Sequence, residues 1–171
     1  EHRGDFKPAD ANMFLVDLPG YGYASTVGKS ERDTWEERTL LYLHSRSPYK
    51  EGVAPPSKHP GDVPAGMANA FVLLDSRRSP ICSPTDLEYL DFLDDARVPH
   101  SLLLTKLDKL SGALRAESFS RACEEVRKRH QKRMAFANAG VLGCSSATGE
   151  GVKELVDFMV SGGVWRDKYF V

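Results

Sequence analysis

With 171 residues the chain has the size of one domain and is long enough to bury a core. A formal net charge of −1 excludes a global field pulling the whole molecule toward nucleic acid or a membrane surface, so any such contact needs a local patch. Cys82, Cys123 and Cys144 are scattered, odd in number and without a C-x-x-C pair, which argues against a disulfide framework or a zinc site and fits a reducing compartment.

The chain opens on EHRGDFKPADANMF, with neither an initiator Met nor a signal-peptide apolar core, and so reads as the interior of something longer. No apolar run approaches the length of a membrane span. The first expected strand is MFLVD at 13–17. Ser30, with Asp33 three residues on, suits a helix cap, and the helix runs through Trp35, Leu40 and Leu43 to about Arg46. Residues 47–69 hold five of the ten prolines and are too polar and broken for an element. They read as a surface loop or partly disordered insertion, either merely tolerated or in contact with a partner. A second strand, AFVLLD, follows at 70–75.

Ser83, Pro84 and Asp86 then mark a helix start, because Pro in the first turn loses no needed donor; Leu87, Leu90 and Leu93 give this helix its apolar stripe. HSLLLT at 100–105 is the third strand. A helix over about 114–132 carries Phe119, Cys123 and Val126 on one face. AGVLGCS at 139–145 is the fourth strand, and a last helix begins near Gly151 with Val152, Leu155, Val156 and Met159. Strands that are apolar throughout, rather than alternating, suit a sheet covered on both faces. Their alternation with helices predicts an α/β doubly wound fold, with a mostly parallel sheet and helices on both faces.

In such sheets ligands gather at the carboxyl ends of the strands. DLPG follows the first strand, TKLD the third and SSATGEG the fourth. Asp17 offers a carboxylate to Mg²⁺, directly or through water, and Gly20 lets a backbone N–H approach a phosphate without a Cβ in the way. Alone, D-x-x-G is also a common turn. Guanine presents two adjacent donors that one carboxylate, Asp108, can accept together. Adenine faces it with a lone pair, and such a site rejects the wrong analogue by factors on the order of 10⁴–10⁵. The stem of Lys106 can lie along base and ribose with its ammonium hydrated. SSATGEG supplies backbone N–H groups within reach of the guanine O6.

FLVDLPGYGYASTVGKSERDTW resembles the EngB (YihA) family of ribosome-assembly GTPases, within the translation-factor-like P-loop GTPases. LLDSRRSPICSPTDLEYLDFL is similar to that family's strand ending in D-x-R and the helix after it, with an early Asp. LLLTKLDKL and CSSATGEGVKEL resemble its guanine-specificity and base-contact motifs. The similarity runs from about 13 to 160, interrupted by the Pro-rich insertion. It implies a P-loop GTPase fold in which 1–171 form the C-terminal two-thirds of one GTPase domain. It also implies GTP or GDP with Mg²⁺ as ligands, and a large ribosomal subunit precursor, through its rRNA, ribosomal proteins or other assembly factors, as partner. By the same resemblance Asp17, Gly20, Thr105, Lys106, Asp108, Ser145, Ser146 and Ala147 are expected to bind nucleotide, with Asp17 on the Mg²⁺ side. Pro19, Tyr21 and Gly22 are expected to form a switch loop.

Gly28-Lys29-Ser30 looks like the end of a phosphate-cradling G-x-x-x-x-G-K-[ST] loop, but position 23, where the first glycine belongs, is Tyr23. In the family this stretch is the mobile loop after D-x-x-G, so it is a decoy. The true phosphate loop would follow a strand lying between those ending at Asp17 and Asp75, and the sequence contains none. Each orphaned backbone group left in its place costs roughly 1–3 kcal/mol, against a net stability of about 5–15 kcal/mol. A preceding part of roughly 60 residues or more is therefore expected.

Tyr21 stands where many GTPases place a water-orienting Gln, which predicts slow hydrolysis dependent on a partner or an ion. The insertion departs from the compact bacterial pattern and favours an organellar protein, in the mitochondrial matrix before bacterial cytoplasm or plastid. A monomer without membrane contact is expected, and the rival function is a non-hydrolysing structural or RNA-binding assembly module.

Arg127, Lys128, Arg129, Lys132 and Arg133 form a basic run that either complements a helix C-terminus or contacts ribosomal RNA phosphates. Arg77 and Arg78 do likewise, or pair with Asp75 and Asp86.

Overall fold

The computed structural model describes residues 14–18, 20, 29–46, 69–132 and 140–160. Within them lie α1 (Lys29–Arg46), β1 (Ala70–Asp75), α2 (Pro84–Asp95), β2 (His100–Thr105), α3 (Gly112–Lys132), β3 (Val141–Gly143) and α4 (Val152–Val160), with a 3-10 turn at Leu107–Lys109. The strands form one parallel sheet in the order β1-β2-β3. The register sets Asp75 beside Thr105, and Leu104 beside Gly143, so the polar exits of all three strands share one edge of the sheet.

The pleat sends alternate side chains to opposite faces. Val72, Leu74, Leu102 and Leu104 enter the larger core with Leu43 of α1, Leu90 and Leu93 of α2 and Ala122 of α3. Leu103 and Leu142 turn the other way and meet Phe158 of α4, with Phe71 and Leu155 alongside. Helices thus cover both faces, as continuous apolar strands require.

α2 begins as its sequence dictates. The Ser83 hydroxyl accepts from the Asp86 N–H while the Asp86 side chain accepts from the Ser83 N–H, a complete capping box with Pro84 in the first turn. α1 starts at Lys29, so Ser30 lies inside its first turn instead of capping it. On α3 the buried face consists of Ser118 and Ala122, with Phe119 and Val126 half-buried beside them. Cys123 is exposed: it sits one position beyond Ala122 on a 3.6-residue period and points away from the sheet.

One expected strand is corrected. Residues 14–18 have no regular structure, and Phe14, Leu15 and Val16 are 83%, 72% and 54% exposed. A strand exists only through a ladder, and among the described residues no neighbour lies beside this segment. Leu18 alone packs against the larger core. The outer edge of β1 is likewise unpaired among the described residues, and Leu73 beside it is 61% exposed. Of the remaining sequence readings, the insertion at 47–69 lies outside the described residues except for Asn69.

Candidate nucleotide-binding site

The chain leaves β2 through Thr105, whose hydroxyl donates to Leu74 O at 3.1 Å and ties the exit to the neighbouring strand. Lys106 then adopts left-handed backbone angles, φ 62° and ψ 36°, uncommon for a residue with a Cβ. This reversal starts the turn Leu107–Lys109, closed by Lys109 N–H donating to Lys106 O at 3.0 Å. Leu107 is buried beneath the turn and its N–H donates to Cys144 O at 3.3 Å, joining the turn to the exit of β3.

Asp108 is thereby brought against Ser145, which is fully buried. The Ser145 hydroxyl donates to Asp108 Oδ1 at 2.6 Å, and Lys109 Nζ lies 3.1 Å from Oδ2. These contacts, the hydroxyl first, hold the Asp108 carboxyl below the usual carboxylate range. Each carboxylate oxygen retains acceptor capacity, so both can still receive a pair of parallel N–H donors. The same Ser145 hydroxyl accepts from Thr148 N–H at 3.3 Å, and Ser145 N–H donates to Glu150 O at 2.9 Å, which curls 145–150 into a compact loop. Ser146 and Ala147 sit exposed on its rim, and among the described residues their backbone N–H groups have no hydrogen-bond partner. One turn and one loop thus offer a carboxylate acceptor and, among the described residues, unpartnered backbone N–H donors, the group types that complement a guanine edge with its N1–H, N2 amine and O6.

The loop is braced from α3 and by glycine. Arg115 donates to Leu110 O at 3.0 Å and to Glu150 Oε1 at 2.6 Å, spanning the Leu107–Lys109 turn and the 145–150 loop. Gly151 has φ +71°, and a Cβ there would lie 2.0 Å from Gly143 O, so only glycine lets the start of α4 touch the end of β3.

Asp17 and Gly20 are both exposed. Among the described residues Asp17 has no hydrogen bond or ion pair, so it is not drawn to the Asp108 cluster. An exposed carboxylate suits a cation held through water. Pro19, Tyr21 and Gly22 of the expected switch loop lie outside the described residues, as do Arg133 and the side chain of Lys132.

Beyond the described site residues, the chain as a whole has relatives. No protein-family model matches it. It is 32% identical over 152 residues to the probable GTP-binding protein EngB of Rhizobium leguminosarum bv. trifolii (strain WSM2304), covering 89% of this chain and 56% of that one. Over 155 residues it is 30% identical to the probable GTP-binding protein EngB of Thermotoga maritima (strain ATCC 43589 / DSM 3109 / JCM 10099 / NBRC 100826 / MSB8), covering 91% and 65%. The chain is an EngB homologue. It spans little more than half the length of the Rhizobium relative. Its structure has the P-loop GTPase fold of a crystal structure of a probable GTP-binding protein EngB, with a TM-score of 0.57 at 15% identity over 86% of this chain and 74% of that one.

In this EngB homologue one expected alternative is borne out and two contacts lay beyond the sequence motifs, those of Asp75 with Lys106 and of Arg129 with α2. Arg77 and Arg78 take the pairing alternative: Arg77 Nη2 lies 2.7 Å from Asp75 Oδ2, and Arg78 Nη1 lies 3.1 Å from Asp86 Oδ2. Asp75 also meets Lys106 Nζ at 2.9 Å, a pair 31 residues apart that only the parallel register brings together. Arg129 differs from the rest of the basic run. Its guanidinium reaches Asp91 Oδ1 at 2.9 Å, Asp94 Oδ2 at 3.1 Å and Leu87 O at 3.1 Å, and it is only 15% exposed. Its Nε lies 3.3 Å from Glu125 Oε1 without the alignment of a hydrogen bond. Arg129 therefore clamps α2 to α3 and is committed there instead of being free for RNA. Arg127 and Lys128 remain exposed, the latter beside Glu124.

Proposed function

We propose that this chain is the base-reading part of a guanine-nucleotide-binding protein that acts in assembly of the large ribosomal subunit. The observation that carries the reading is Asp108, held by Ser145 and Lys109 with both oxygens still able to accept, beside the exposed backbone donors of Ser146 and Ala147. The relatives are named as GTP-binding proteins, which supports GTP or GDP as the ligand.

In this reading Asp108 selects guanine, and the half-exposed stem of Lys106 covers the base. Asp17 holds Mg²⁺ through water, and the ion offsets phosphate charge when bound. GTP fits the protein to the subunit precursor and slow hydrolysis releases it. The Pro-rich stretch at 47–69 supports an organellar setting, the mitochondrial matrix first.

Nucleotide affinity of the full-length protein tests the base reading. Asp108→Asn exchanges an acceptor for a donor and should lower GTP affinity at least about 100-fold while raising affinity for XTP. An unchanged order of preference would remove Asp108 from the site. Co-sedimentation with large-subunit precursors, with GTP against GDP, tests the assembly role; identical sedimentation in both states would count against a GTP-set switch.

A further inference from the structure

We propose that Asp75, at the exit of β1, is a positioning residue for the base site: it anchors Lys106 and so holds the Leu107–Lys109 turn in its base-ready form before nucleotide arrives. The inference rests on the guanine-binding reading above and adds a residue from a different strand.

Lys106 carries two burdens at once. Its backbone must stay left-handed, φ 62°, for the chain to reverse out of β2 and present Asp108. Its side chain must lie across the mouth of the site if its stem is to cover a base. A half-exposed lysine samples many rotamers, and nothing on its own strand fixes it. Asp75 does so from β1, with Oδ2 2.9 Å from Nζ.

The anchor is itself immobilised. Arg77 donates from its backbone N–H to Asp75 Oδ1 at 3.1 Å, from Nε to the same oxygen at 2.9 Å and from Nη2 to Oδ2 at 2.7 Å. A carboxylate gripped in this bidentate way has one orientation, and that orientation offers Oδ2 to Lys106. The Asp75 carboxyl is kept well below the usual carboxylate range, by Arg77 foremost and by Lys106 in addition, so it stays charged at any pH at which the protein works. The result is a brace across two strands that orders the lysine of T-K-L-D ahead of binding, and ordering ahead of binding lowers the cost of binding itself.

Three variants of the full-length protein test this: Asp75→Asn, Lys106→Met and the double variant, each measured for GDP affinity and for amide hydrogen exchange at Lys109 and Leu110. Asp75→Asn should weaken GDP binding roughly tenfold. In the Lys106→Met background the same change should cost less than about twofold, because Asp75 acts through Lys106. An equal loss in both backgrounds, or no loss in either, overturns the inference. The exchange measurement needs no nucleotide. Both single variants should speed exchange at Lys109 and Leu110, whose N–H groups close the turn onto Lys106 O and Leu107 O. Unchanged exchange in both overturns the inference even if affinity falls. Accelerated exchange in a protein that binds no guanine nucleotide at all would keep the anchor and reject the guanine reading.

Discussion

Asp75 and Asp108 stand at neighbouring strand exits, and each is held charged by a different set of neighbours. Asp75 owes its low pKa first to Arg77, opposed by its partial burial, whereas Asp108 owes its own first to the Ser145 hydroxyl. A carboxylate whose pKa is lowered by folding binds fewer protons in the folded state, so stability rises with pH. The contribution of Asp75 is complete above its unfolded value, about 3.9, and is lost as pH falls from there through the lower folded value. Stability curves of Asp75→Asn should therefore fall short of those of the parent protein at neutral pH, begin to approach them below about pH 4, and meet them only as pH drops through the low folded value. Curves that stay parallel across the range would show that the pairs of Asp75 add no stability. Gly151 belongs to the same scale. Gly151→Ala must hold a Cβ at φ +71° and push it into Gly143 O, costing at least about 2 kcal/mol. A Tm lower by about 4 °C or more is the expected reading.

Among elements, β1 and β2 were legible because six-residue apolar runs ending in a polar group have few alternatives in an α/β chain. α2 was legible down to its cap, since Ser83, Pro84 and Asp86 carry the whole capping box in four residues. The segment at 13–17 has the same apolar look, and it failed as a strand because a ladder needs a neighbour that local composition does not supply. The contacts that make the site were hidden for a related reason: Ser145 to Asp108 joins residues 37 apart, and Lys106 to Asp75 joins residues 31 apart. Motif spacing named Asp108, Lys106 and Ser145, and the sequence offered Asp75 as a partner for Arg77, yet only the register revealed that Asp75 also reaches Lys106. Arg129 teaches the same lesson on a helix. Its place in a basic run suggested solvent or RNA, and its reach to Asp91, Asp94 and Leu87 O makes it a clamp. Arg129→Ala takes the guanidinium from Asp94, which is little exposed and keeps His100 Nε2 nearby, at 3.7 Å, and should destabilise the protein by about 3 kcal/mol, read from urea midpoints. A loss under about 0.5 kcal/mol would mean the clamp is ornamental.

At the scale of the whole molecule, a net charge of −1 means that the proposed contact with ribosomal RNA has to come from a local surface. With Arg129 committed to α2, the exposed cations described on that surface are Arg127 and Lys128. Replacing both with Gln should weaken binding to ribosomal RNA and flatten its dependence on log salt by roughly 0.7–0.9 for each phosphate no longer neutralised. An unaltered slope would direct the search for the RNA surface away from α3.

Among the described strands the middle one has the most protected position: β2 is bonded on both sides, and His100 to Leu104 are all buried. The lysine–aspartate turn issues straight from its end. A protein that reads its ligand from a loop at the rim can lose that reading while the body stays folded. In the proposed reading of the base by Asp108 the reading head is mounted on the keel, so heat or denaturant that spares β2 is expected to spare base selection too, and nucleotide preference should be lost at the same denaturant concentration as the fold.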